Sequence, residues 1–279
     1  MNEKQLKEKL QQMKENEWAL LSGDDPYELT IEMMLHIGST DPELRDHLIL
    51  ECLWTIIDSG DLSHLQLKEL LNLCLSEKHL FYDLGNAEGD GVFNRAFTVL
   101  IIAGIIEFHN ENDEKLLSEP QVKEVFKQLV KYVENEKDKR EYVEVKGWAD
   151  AIGHWALTFA ELVECSAVNV EMQRQTLSLV QNLVCNNDIA YCQDEDERFT
   201  TIVMNIINRN TIEENELQDW INSFETMKLP ENFLERYNIR TNRKNFLRSL
   251  YFRLVYAKES EVLIKRLEEI ILTINPYNR

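Results

Sequence analysis

Apolar residues recur at three- and four-residue spacing along nearly the whole chain, and alternation at every second position is essentially absent. Such a period puts the apolar side chains on one stripe of an α-helix. The pattern predicts helices near residues 2–21, 26–37, 42–58, 63–77, 91–110, 119–136, 147–165, 169–185, 195–209, 212–225, 242–257 and 260–273. Start signals punctuate it. Asp25-Pro26 and Asp41-Pro42 each set a capping carboxylate before a proline at the first helical position. Ser63 with Gln66, Ser118 with Gln121 and Thr211 with Glu214 have capping-box spacing. The expected fold class is all-α.

These helices group into pairs. Residues 1–40 read as an N-terminal capping pair and residues 41–279 as five irregular pairs. The first helices start near Pro42, Gly91, Gly147, Glu195 and Asn242, roughly 49, 56, 48 and 47 residues apart, against about 40–47 in HEAT and armadillo units. A helix pair cannot bury its apolar stripe alone, so neighbouring pairs stack. The expectation is one domain over 1–279, an α-α superhelix (solenoid) of about six stacked pairs, HEAT/armadillo-like. The apolar run from Ala96 to Ile106 is shorter than the ~20 residues of a membrane span and reads as a core helix. The charge run Glu134 to Glu144 reads as a solvated loop, and Gly85 to Gly91 as a long turn between pairs.

Charge changes the picture next. The 279 residues carry 30 Lys+Arg against 50 Asp+Glu, a formal net charge of −20. Phosphate contacts need clustered cations, so nucleic acid is not the expected partner. The five cysteines are odd in number and show no C-x-x-C spacing, which fits reduced thiols in a cytoplasmic setting. No signal peptide is visible at the N-terminus. No cofactor and no metal is predicted. Asp194 to Glu197 lack the glycine and the final glutamate of an EF-hand loop, and acids at a helix start follow from the helix dipole.

Candidate chemistry is sparse. In the segment from Gly147 to Leu162, helical projection sets Trp148, Ile152, Trp155, Phe159 and Leu162 on one face and Asp150, His154 and Glu161 on the other. Asp150 and His154 at i, i+4 can touch. They form an ordinary polar surface pair, part of a ligand- or partner-contacting face, or a metal or catalytic site. Arg45, Arg95, Arg198 and Arg248 stand near the starts of first helices, with Asp150 at the matching position of the third pair. They suit either a ladder of arginine–carboxylate bonds or a row of guanidinium groups facing a partner. From Arg236 to Arg253 six cations occur with no acid among them, interleaved with Phe246, Tyr251 and Phe252. This basic island either binds an anion or docks on the acidic remainder of the molecule.

Four segments together resemble an uncharacterised bacterial family, the domain-of-unknown-function family 2785. They are Phe93-Asn94-Arg95-Ala96-Phe97, Lys146-Gly147-Trp148-Ala149 with His154, Asp196-Glu197-Arg198-Phe199, and Asn245-Phe246-Leu247-Arg248-Ser249-Leu250-Tyr251-Phe252. The resemblance spans about residues 40–257 and implies an all-helical, repeat-like fold in a bacterial cytosol. This chain departs from the family pattern at Asp150 and Leu157, where the pattern has His and Asp. No established activity comes with the resemblance.

The leading expectation is a non-enzymatic cytosolic scaffold that binds a protein or peptide, with a small anionic ligand as a further option and no membrane. Its surface would be lined by the first helix of each pair and include Arg95, Trp148, Asp150, His154, Arg198, Arg248 and Tyr251. The alternative is an enzyme or small-ligand protein with a polar groove around Asp150, His154 and nearby arginines.

Overall fold

Capping chemistry sets most of the helix starts. In the computed structural model, which describes residues 1–277, Asp25 caps α2 (Pro26–Met34) by accepting from the Glu28 N–H at 2.8 Å. Ser63 and Ser118 form the capping boxes of α4 (His64–Cys74) and α6 (Glu119–Asn135). Thr211 does not cap its helix. Its hydroxyl donates to Gln173 Oε1 at 2.6 Å, and α10 (Glu214–Thr226) starts behind Glu213. Twelve α-helices are present among the described residues, with one two-stranded hairpin and a π-helical stretch, Glu43–Leu50. The chain divides into two compact units, Met1–Leu162 and Val163 onward.

The first unit is built around α5 (Gly91–Glu111). It is long and apolar enough to cross a bilayer by length and composition alone, but here it is a core helix. Phe93, Phe97, Ile101, Ile102, Ile105 and Ile106 are all buried. Each such side chain contributes roughly 1.5–3 kcal/mol on leaving water. Helices α3 (Glu51–Asp58), α4 and α7 (Ala151–Leu162) pack on α5, and α6 packs on α7. The first helix, α1 (Glu3–Glu15), packs on the π-helical stretch. It stops well short of residue 21 because Glu17 and Trp18 both take positive φ and turn the chain.

The second unit repeats a simple neighbour rule. Its helices are α8 (Val170–Val184), α9 (Glu195–Asn208), α10, α11 (Phe233–Ala257) and α12 (Glu261–Ile274). First helices α9 and α11 lie side by side, as do second helices α10 and α12. Between α8 and α10, Trp220 Nε1 donates to the Leu177 carbonyl at 3.0 Å and Arg174 pairs Glu216. Phe199, Ile202, Val203, Phe246 and Leu250 form the centre. Helix α11 begins nine residues earlier than the periodicity predicts, because its first turns, capped by Asn232, expose Phe233, Leu234 and Tyr237 and bury no stripe.

Two further expectations fail for local reasons. Helix α7 starts at Ala151 rather than Gly147, since Tyr142–Val143 and Gly147–Trp148 pair as an antiparallel hairpin. Gly147 has φ +80°, a backbone that favours glycine. The charge run after α6 is not a solvated loop: Glu136 and Asp138 are buried.

Candidate functional site

Two arginines organise the predicted site in the first unit. Arg95 lies in the first turns of α5 and is completely buried. Its Nε and Nη2 donate to the two oxygens of Glu136 at 2.6 and 2.8 Å, and Nη1 donates to the Tyr82 and Asp83 carbonyls. Burial alone would lower the Arg95 pKa; the hydrogen bonds and charge of Glu136 raise it instead. Glu136 also accepts from the Asp138 N–H at 2.9 Å. Asp138 then holds Arg140, whose Nη2 reaches the Gly89 carbonyl at 2.6 Å. This chain of bonds ties the glycine-rich turn before α5 to the segment after α6. Asp90, the nearest preceding acid in sequence, pairs Lys146 instead.

Arg45 is the second clamp. The π-helical stretch turns it inward, where Nη1 donates to the Ser39 carbonyl at 2.6 Å and Nη2 to the Lys146 and Trp148 carbonyls at 2.8 and 3.2 Å. Its guanidinium lies 4.3 and 4.6 Å from the ring centres of Phe93 and Phe97, and Asp46 pairs its Nε at 2.7 Å. A side chain at Gly147 would meet Pro42 at 2.8 Å and Arg45 Nη2 at 3.1 Å. Arg45 therefore fixes the hairpin from beneath by its own backbone carbonyls.

The hairpin tip points outward. Val145 is 84% exposed and has φ +71°, a costly conformation for a β-branched residue. Tyr142 and Trp148 are exposed beside it, their rings edge-to-face at 5.2 Å. Trp148 thus sits on a strand rather than on the apolar face of α7.

Asp150 and His154 are interior groups, not a surface pair. Asp150 caps α7 by accepting from the Gly153 N–H at 3.2 Å, and its other oxygen lies 3.7 Å from His154 Nε2. The carbonyl of Ala96 can only accept, so His154 Nδ1 donates to it, at 3.2 Å. Phe97 packs edge-on against the imidazole at 5.2 Å. Helix α7 is buried almost all round, with Trp155 Nε1 donating to Leu129 O on α6 and Thr158 to Val99 O on α5. Leu157 is its exposed exception.

A polar groove of about 620 Å³ opens beside the N-terminus of α5, with Lys78, His79, Asp90 and Asn94 among its lining. In it, His79 Nδ1 faces Asn94 Oδ1 at 3.2 Å, and burial holds the imidazole pKa below its ordinary value. Among the described residues no three His, Cys, Asp or Glu side chains converge as metal ligands.

In the second unit, Arg198 and Tyr251 are half-buried and Arg248 is exposed. Asp196 accepts from the Ser249 hydroxyl at 2.6 Å, which joins two of the family-like segments across α9 and α11. Of the basic island, Arg243 turns inward to the Phe224 carbonyl at 2.7 Å and Arg253 reaches Glu197 at 3.3 Å. The other four cations make no ion pair to a carboxylate among the described residues.

Sequence reading missed Glu136, Asp138, Val145 and the inward course of Arg45. A buried acid inside a charge run has no periodic signature. His154 bonds the carbonyl of Ala96, the residue after Arg95, while the Arg95 side chain itself turns to Glu136 and the Tyr82 and Asp83 carbonyls.

An all-α chain with a few buried charged side chains, Arg45, Arg95 and Glu136 among them, held by carbonyls and by one another is the class that these features define. The chain belongs to the family described as protein of unknown function (DUF2785), whose family model matches residues 80–252. All four family-like segments fall within that span. No curated protein and no solved structure matches the chain.

Proposed function

We propose that this protein is a non-enzymatic binding scaffold for a protein or peptide, built from stacked helix pairs, and that the hairpin tip of Tyr142, Val145 and Trp148 is its contact element in the first unit. The strained, exposed Val145 carries this reading. Strain persists where the surroundings over-determine it, and it clusters at functional positions. Here Arg45 beneath the hairpin and the Lys146–Asp90 pair beside it supply that constraint. An exposed apolar tip on a rigid base suits a protein partner. The polar groups of Arg95, Asp150 and His154 bond backbone and one another, which supports a scaffold over a catalytic or ligand groove at those residues.

A photo-crosslinking amino acid at Val145, with exposed Leu65 as the control position, tests the reading in cells. A discrete adduct at 145 that Trp148→Ala removes is expected. Identical adducts at both positions would overturn it.

A further inference from the structure

The polar groove of the first unit lies between the end of α2, the turn after α4 and the first turn of α5. His79 lines it and is only 6% exposed. The protonation of this imidazole follows from its neighbour. Asn94 Nδ2 donates to the Lys78 carbonyl at 2.9 Å, and a carbonyl can only accept. Asn94 therefore turns its Oδ1 to His79, and His79 Nδ1 carries the proton between them at 3.2 Å. Burial, helped by the charge of Lys78, holds the imidazole pKa below its ordinary value, which leaves Nε2 a bare lone pair at neutral pH. Nε2 has no hydrogen-bond partner among the described residues and is not sealed from solvent. It opens into the groove that His79 lines.

A buried acceptor without a donor is costly, and here it is held in place. Gly38 packs so closely on Asn94 that a Cβ at position 38 would lie 2.7 Å from Asn94 Cβ. Arg95 ties down the Tyr82 and Asp83 carbonyls of the adjoining turn. The acceptor is thus preorganised before anything reaches it.

We infer that this groove binds a small uncharged sugar, one hydroxyl of which donates to His79 Nε2. Charge selects the ligand. Lys78 lines the groove and makes no ion pair among the described residues, while Glu3, Asp83 and Asp90 line it with carboxylates. An anion would meet those carboxylates, and a cation would meet Lys78 and the positive end of α5. A hydroxyl escapes both costs, because it can donate to His79 or Asp83 and accept from Lys78. Tyr82, 49% exposed at the same groove, offers an aromatic face to the C–H groups of a sugar ring. The volume of about 620 Å³ falls in the range of about 300–1,000 Å³ that small-molecule sites occupy. The groove shares no residue with the hairpin tip, and its assignment goes beyond the hairpin reading and stands independently of it.

Nuclear magnetic resonance of isotope-labelled histidine side chains in the full-length protein tests this. The probes are glucose, galactose and mannose, each titrated to about 10 mM, which detects a millimolar Kd. At least one should move the His79 Nε2 resonance saturably toward its hydrogen-bonded position while those of His109 and His154 stay in place. His79→Phe should weaken that sugar by at least about tenfold and Lys78→Met by about threefold, with helical circular dichroism unchanged. The amino-sugar and uronic-acid counterparts of the same sugar should bind at least about threefold more weakly. Val145→Asp should leave the affinity unchanged, so the hairpin proposal can fail alone. If His79→Phe does not fold, Lys78→Met and the resonance shift of the unaltered protein decide. No saturable shift with any of the three sugars would overturn the inference and leave the groove to water. Binding indifferent to His79→Phe, or tighter binding of a charged counterpart or of nicotinamide, an uncharged N–H donor without hydroxyls, would overturn it equally.

Discussion

Arg95→Met isolates the energetic role of the inner clamp. The substitution keeps most of the side-chain volume but removes four hydrogen bonds, two to Glu136 and one each to the Tyr82 and Asp83 carbonyls. Both side chains of the pair are fully buried, so Glu136 is left as a buried carboxylate whose guanidinium is gone. Breaking a buried pair in this way costs about 3–5 kcal/mol. For a chain of this size that corresponds to a fall in Tm of about 6–20 °C. Glu136→Gln keeps an acceptor for the Asp138 N–H and removes the charge. The double variant therefore leaves no unpaired buried charge, and it should be at least about 2 kcal/mol more stable than the sum of the single changes predicts. Urea unfolding followed by helical circular dichroism measures all three. If Arg95→Met costs less than about 1 kcal/mol, or if the two changes add within about 0.5 kcal/mol, the pair is not the keystone that its burial implies.

Gly147→Ala should destabilise by about 2–4 kcal/mol, since the left-handed backbone and the close approach of Pro42 and Arg45 both oppose a Cβ; chemical denaturation reads it. Val145→Asn should stabilise by about 1 kcal/mol by relieving the positive φ while weakening the proposed contact, a combination that thermal unfolding and the crosslinking assay detect together. Burial, with a smaller effect of Lys115, holds the His109 pKa below its ordinary value, and Nδ1 accepts from the Leu117 N–H at 3.1 Å. The unfolded chain thus takes up the proton first, so this contribution to stability is full above pH ~6.5 and is lost as pH falls toward the lower folded value. His109→Asn, which keeps an acceptor, should flatten Tm against pH over that window; an unchanged slope would refute the assignment. Alkylation followed by mass spectrometry should modify exposed Cys192 first and the buried Cys52 and Cys74 late, because burial pushes the Cys52 thiol up to about 12 and raises the Cys74 thiol still more.

How much of this was legible depends on which physical signal each feature leaves. Amphipathic period and caps leave strong signals, so the all-helical class and most helix starts followed from the sequence. Boundaries failed where backbone conformation, not burial, decides: Glu17 and Trp18 end α1 with positive φ, and Gly147 bends the chain into a hairpin that the helical projection overran. The early start of α11 had no apolar stripe to reveal it, because Phe233, Leu234 and Tyr237 stay in water.

The arginines show why the site was harder to read than the fold. Arg45, Arg95 and Arg248 hold matching places in the predicted repeat, although the early start of α11 sets Arg248 well inside its helix; two are fully buried and one is exposed. What separates them is the acceptor each meets. Arg95 meets a carboxylate 41 residues away, delivered by a segment whose composition is that of a solvated loop. Arg45 meets the Lys146 and Trp148 carbonyls about a hundred residues on, which no residue type can announce. Arg248 meets no carboxylate among the described residues and stays exposed. A charged helix residue becomes a clamp only where the fold brings oxygen to it. Local sequence states the charge but not the delivery, so the same motif read as one ladder divides into two interior clamps, Arg45 and Arg95, and an exposed cation, Arg248.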